Sequence, residues 1–210
     1  MKACFMDTPS VTIVLTSVAG LLYVAGYIPY IRAILHHTAK PMQSSWLIFA
    51  ILDVIAIAGM YDKGVLNGQI IGALMGSSIV MSLSLFFGTS DWKKLDVMCM
   101  IGACTGLYFW WLTSNATIGI FISVAIMFVG CIPTFVSAWH HPQYENRTAW
   151  TLYFLSCILQ LFAVSSWTFA GAVQPIGFAV METIMMILLW VRPILLRKYL
   201  FISSVSKNDI

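Results

Sequence analysis

Long apolar runs broken by short polar stretches fill almost the whole chain. They fall at residues 11–35, 44–61, 65–87, 95–114, 117–139, 148–169 and 173–195. An α-helix needs about 20 mostly apolar residues to cross a bilayer core, and each run is of that order. The pattern predicts an all-α membrane protein with seven transmembrane helices and short loops. An odd number of spans puts the two termini on opposite faces.

Composition strengthens this reading. Hydrophobic residues make up 60% of the chain and charged residues 9%, against roughly 25% charged in a soluble domain. So apolar a chain cannot cover a water-facing surface, and no room is left for a separate soluble domain. The lipid bilayer is its expected environment. No run is basic enough for a nucleic-acid partner. The five cysteines (Cys4, Cys99, Cys104, Cys131, Cys157) lack paired metal spacing and read as small hydrophobes. No metal or cofactor is expected, and no cleavable signal peptide is evident.

Charge placement orients the bundle. One face carries Arg32, Lys40, Lys93, Lys94, Arg147, Arg192, Arg197, Lys198 and Lys207, and the other only Lys2 and Lys63. By the positive-inside rule the N-terminus is outside and the C-terminus cytoplasmic. This is the expectation for an integral protein of the plasma (inner) membrane. Trp92, Trp139 and Trp190 fall near the cytoplasmic interface, where indoles anchor. Asn115-Ala-Thr is a formal glycosylation sequon in a very short loop. Asn146-Arg-Thr lies on the wrong face.

The chain repeats itself. GYIPYIRAILHH at 26–37 matches GCIPTFVSAWHH at 130–141, and six of the 21 positions in 26–46 are identical to those in 130–150. With one added residue of offset, QIIGALMGSSIVMSL (69–83) meets QPIGFAVMETIMMIL (174–188). A long internal repeat outranks a local motif as evidence of architecture. Spans 1–3 form one copy, spans 5–7 the other, and span 4 belongs to neither. Three spans are an odd unit, so the extra span restores a parallel orientation. The expected organisation is a first repeat at 1–92, a linker helix at 93–115, a second repeat at 116–202 and a tail at 203–210. Pseudo-symmetric halves place a solute site between them near mid-membrane.

This 3+1+3 arrangement, with Pro29 and Pro133 near the cytoplasmic ends of spans 1 and 5, resembles the PQ-loop superfamily. That superfamily includes the SWEET sugar transporters, the PnuC-type vitamin transporters and the KDEL receptor. The family's Pro-Gln pair is Pro29-Tyr30 and Pro133-Thr134 here. YIPYIRAILHHTAKPMQSSWLI also looks like prokaryotic seven-span proteins of similar length. The resemblance implies the fold and a transport role, with Pro29 and Pro133 as hinges. Taken alone, the prolines fit either hinges or static kinks.

The candidate solute site starts from two acids. Asp53 and Glu182 lie eight to nine residues into spans 2 and 7, roughly 12–14 Å at ~1.5 Å per residue. That is near the middle of a ~30 Å core. An acid there costs roughly 2.5–3.5 kcal/mol, and no lysine or arginine lies at that level. Each acid must be protonated, face water or bind something positive. Through the repeat, Asp53 corresponds to Cys157 and Ser77 to Glu182. Tyr153, Ser156 and Gln160 on span 6 and Ser78 and Thr183 on spans 3 and 7 surround that level. Gln69 and Gln174 either line an outer mouth or cap helices. Trp46 and Trp150 lie two turns from Asp53 and Cys157, as a cavity floor or as interface anchors. The predicted substrate-binding set is therefore Asp53, Glu182, Ser77, Cys157, Trp46, Trp150, Tyr153 and Gln160.

Three features are given structural readings. Gly68, Gly72 and Gly76 form a close-packing stripe, with a homo-oligomer contact as a second use, and Gly102 and Gly106 are read likewise. The double histidines end spans 1 and 5; neighbours on a helix point about 100° apart, so one pair cannot readily chelate an ion.

The expected function is a small-solute carrier working by alternating access. The solute would be a small polar or cationic metabolite such as a sugar, vitamin or nucleoside. The alternative is a non-transporting receptor or sensor on the same fold. A retinal photoreceptor is disfavoured because the last span carries no lysine. No nucleophile–base pair or metal triad suggests an enzyme.

Overall fold

The computed structural model describes residues 9–90 and 94–195, all helices and turns with no strand among them. Cys4, Trp92, Lys2, Lys93, Arg197, Lys198, Lys207 and the tail at 203–210 lie outside the described residues, as do the side chains of Cys99 and Pro133. The helices are α1 (Pro9–Leu35), α2 (Gln43–Asp62), α3 (Gly68–Phe87), α4 (Lys94–Thr113), α5 (Ala116–His140), α6 (Arg147–Phe162) and α7 (Phe169–Met186). A π-turn over Ile187–Val191 continues α7. Among the described residues, five helices are long and apolar enough to cross a membrane: Ser10–Leu35, Gln43–Asp62, Gly68–Phe87, Ala116–His140 and Phe169–Leu195. They mark an integral membrane protein.

Helix ends follow local chemistry. The side chains of Asn67, Asn115, Asn146 and Thr168 accept from the first free backbone N–H groups of α3, α5, α6 and α7, as capping residues do. Both sequon asparagines are thus helix caps. Gly64 ends α2 at φ +64°, a conformation glycine adopts without strain. Next to it, Val65 N–H donates back to Met60 O at 2.9 Å. The sixth helix differs from its expected span of 148–169: it has 16 residues and stops at Phe162. The following Val164–Thr168 stretch is not helical. Ser165, Ser166 and Thr168 offer the backbone hydrogen bonds that compete with a helix, and Thr168 starts α7 instead.

Packing follows small residues. Helix α3 lies between α1 and α2, and α7 lies between α5 and α6. The glycine stripe of α3 meets α1 within the chain. A Cβ on Gly68 would lie 2.6 Å from Thr16 O, and one on Gly72 would lie 2.9 Å from Gly20 O. A Cβ on Gly76 would strike the ring of Tyr27. Helix α1 also packs against α6 and α2 against α5, and α4 packs on α5 and α2. At these contacts stand the glycines of the repeated segment. Gly26 faces Tyr153 and Ala149 of α6, and Gly130 faces Ile48 and Phe49 of α2. Ser45 Oγ also donates to Gly130 O at 3.1 Å. In the repeat's register, 45 and 149 correspond, as do 49 and 153.

The double histidines reach different partners. His37 packs on Phe87 and His141 stacks on Tyr144. Trp139 lies under Arg192, whose guanidinium is 3.9 Å from the ring centre, and Trp190 lies near Arg147.

Candidate functional site

Asp53 of α2 and Glu182 of α7 wall the same cavity. It measures about 50 Å³. A water needs roughly 10–15 Å³ on this measure, so there is room for a few waters or one compact solute. Twelve of its fifteen lining residues form six pairs that correspond in the repeat. Tyr23 pairs with Met127, Tyr27 with Cys131 and Trp46 with Trp150. Phe49 pairs with Tyr153, Ala73 with Phe178 and Ser77 with Glu182.

The polar groups are unevenly satisfied. Ser77 Oγ donates to Asp53 Oδ2 at 2.8 Å. Tyr23 donates weakly to Glu182 Oε1, at 3.4 Å, and Tyr27 donates to Ala73 O at 3.2 Å. Glu182 Oε2 and the Tyr153 hydroxyl are buried without a hydrogen-bond partner. Both residues line the cavity. Leaving such a group unpaired costs about 1–3 kcal/mol, and a native structure retains one where something else meets it. Among the described residues, no Lys, Arg or His lines the cavity.

No family model, curated protein or solved structure matches the chain. The site therefore rests on its own geometry.

Of the predicted residues, Asp53, Glu182, Ser77, Trp46, Trp150 and Tyr153 line this cavity. Cys157 and Gln160 lie at a polar seam outside its lining. Gln69 Nε2 donates to Cys157 Sγ at 3.1 Å, and Thr16 Oγ1 donates to Gln160 Oε1 at 2.9 Å. Gln69 and Gln174 neither line a mouth nor cap a helix. Both are 0% exposed, and Gln174 Nε2 donates to Gln69 Oε1 at 3.4 Å. Asn67 Nδ2 donates to Gln174 Oε1 at 2.9 Å, and Ser156 Oγ to Ala19 O at 2.7 Å. These bonds join α1 and α3 to α6 and α7 at the end that carries the α2–α3 turn. Thr183 is exposed and bonds its own helix at Ala179 O.

The other end is held by a residue that the pattern of spans does not mark. Glu145, in the α5–α6 turn, accepts from Trp150 Nε1 at 2.8 Å and from the Tyr30 hydroxyl at 3.4 Å. Its neighbour Asn146 donates to Pro29 O at 3.3 Å. Burial pushes the Glu145 carboxyl up to about 7, against the bonds from Trp150 and Tyr30, which lower it. Tyr23 and Tyr27 are also missing from the predicted set. Their signal is legible: Tyr23, Tyr27 and Tyr30 are spaced to share one helix face.

Proposed function

We propose that the protein is a small-solute carrier of the 3+1+3 type, with two parallel three-helix repeats that rock about the central cavity. The observation that carries this reading is the cavity wall itself. Six repeat-equivalent pairs converge on one space, as expected of a site between pseudo-symmetric halves. The matching order of helices in the two triplets supports the same reading, as do the repeated glycines at both contacts between them.

Alternating access requires two closures that open in turn. The Gln69–Gln174 seam supplies one. The cluster of Trp46, Trp150, Tyr30 and Glu145 supplies the other. Pro29 fits a hinge beside the second closure, since the α5–α6 turn reaches its carbonyl. Pro133 is its repeat equivalent. The charge bias supports an orientation with the α5–α6 turn in the cytoplasm and the N-terminus outside.

The test is reconstitution of the full chain in liposomes loaded with panels of radiolabelled sugars, amino acids, vitamins and amines. Saturable flux of one solute class is the expected result. Binding without flux would make the protein a receptor instead.

A further inference from the structure

We propose that the cavity takes a small organic cation of the alkylammonium class, with its charge against Asp53 and Glu182 and its alkyl groups against the tyrosine and tryptophan rings. This rests on reading the cavity as the solute site and narrows its chemistry.

Three features of the wall point the same way. The first is charge. Two carboxyl groups from different helices enter one buried space, Asp53 at 2% and Glu182 at 5% exposure. Among the described residues, no basic side chain lines that space. Ionised, the pair leaves the cavity in need of positive charge, which an anion cannot supply. A neutral solute leaves that need unmet.

The second is the unfilled hydrogen bonding. Glu182 Oε2 and the Tyr153 hydroxyl oxygen are both buried and unpaired. In its ionised form a carboxylate oxygen only accepts, so the partner that Oε2 then lacks is a donor or a cation.

The third is the aromatic wall. Eight of the fifteen lining residues are aromatic. Tyr153 packs at 4.7 Å from Tyr23 and 5.0 Å from Tyr27 between ring centres. Trp150 lies 5.7 Å from Tyr153, and Trp46 lies 6.2 Å from Tyr27. Aromatic faces attract cations, most strongly where water is excluded, and aromatic cages recognise quaternary ammonium groups.

The same wall disfavours the nearest competitors. A sugar carries several hydroxyl groups, each of which needs a partner when buried. Beyond the two acids, the described wall offers Ser77, three tyrosine hydroxyls and the indole N–H groups of Trp46 and Trp150, and Trp150 already donates to Glu145. A hard metal ion wants six or more oxygens, and no group of three or more His, Cys, Asp or Glu suited to a metal occurs among the described residues. On the measure by which a water takes roughly 10–15 Å³, a cavity of about 50 Å³ favours a compact solute over a larger one.

The experiment compares choline with 3,3-dimethylbutanol, its neutral carbon isostere, by equilibrium binding to the full chain in nanodiscs. The two probes share shape and differ in charge. Choline is expected to bind at least about tenfold more tightly. Glu182→Gln should remove most of that preference. Tyr153→Phe keeps the ring and should retain the preference, whereas Tyr153→Leu should weaken choline binding. Should Glu182→Gln not fold, the isostere comparison on the parent chain still decides. Equal binding of the two probes overturns the cation assignment. So does failure of choline to bind while a neutral solute is bound and carried, which leaves the carrier reading intact. If no solute of any class binds or crosses, both readings fall.

Discussion

Gly26 of α1 lies so close to Tyr153 of α6 that a Cβ on the glycine would come within 2.5 Å of the ring. The missing side chain lets α1 approach α6 and holds the Tyr153 ring in the cavity wall. Its repeat partner Gly130 has more room, since the nearest atom to a Cβ there is the Ile48 methyl at 3.1 Å. Gly26→Ala should destabilise the protein by about 1–3 kcal/mol, the usual range for overpacking. Gly130→Ala should be milder. Thermal unfolding of the two variants in one detergent checks the order, and a larger loss at Gly130 would contradict it.

Ser77 donates to Asp53 within the cavity wall at 2.8 Å. Asp53→Asn keeps the shape and the acceptor but removes the charge. Flux of the carried solute should fall more than about tenfold, as expected when a charged contact of ~1.4 kcal/mol or more is lost. Ser77→Ala should have a smaller effect because the charge remains. Liposome uptake by both variants tests this, and parental flux in Asp53→Asn would remove Asp53 from the site.

Gln69 is the centre of the polar seam, bonded to Ser156, Cys157 and Gln174. Gln69→Ala leaves the Gln174 amide and the Ser156 hydroxyl each short of one bond, at about 1–3 kcal/mol per group left unsatisfied. The seam should then open more often. Maleimide labelling of Cys157, followed by mass spectrometry, should be faster than in the parent chain. An unchanged rate would mean that the seam does not open through Gln69.

Glu145 links closure to pH. Its folded-state pKa of about 7 stands above the ordinary 4.5, so the folded protein holds this proton more tightly than the unfolded chain. The resulting stability is fully present below pH 4.5 and is lost as pH rises through 7. Melting temperature measured across that window should decline less steeply in Glu145→Gln than in the parent. The Trp150 indole donates to the same carboxyl. A fluorescence change near pH 7 should therefore accompany the decline in the parent and be absent from the variant.

The sequence by itself determined the helices and the level of most polar side chains along them. Long apolar runs leave the backbone little choice, because in lipid every N–H and C=O must be paired within the segment. A residue's level then follows from a constant rise per residue, so Asp53, Ser77 and Glu182 were legible as a group, as were Trp46 and Trp150. The repeat added the correspondence of Gly26 with Gly130. Direction was not legible. Cys157 and Gln160 share a helix with Tyr153, yet they bond to Gln69 and Thr16 at the polar seam. Which way a side chain points depends on how its helix is rotated against its neighbours. In this protein glycine contacts between distant segments set that rotation, notably Gly20 against Gly68 and Gly26 against Tyr153. Glu145 belongs wholly to the tertiary structure. It is a polar residue in a polar turn, and only the packing of α1 beside α6 places Tyr30 and Trp150 around its carboxyl.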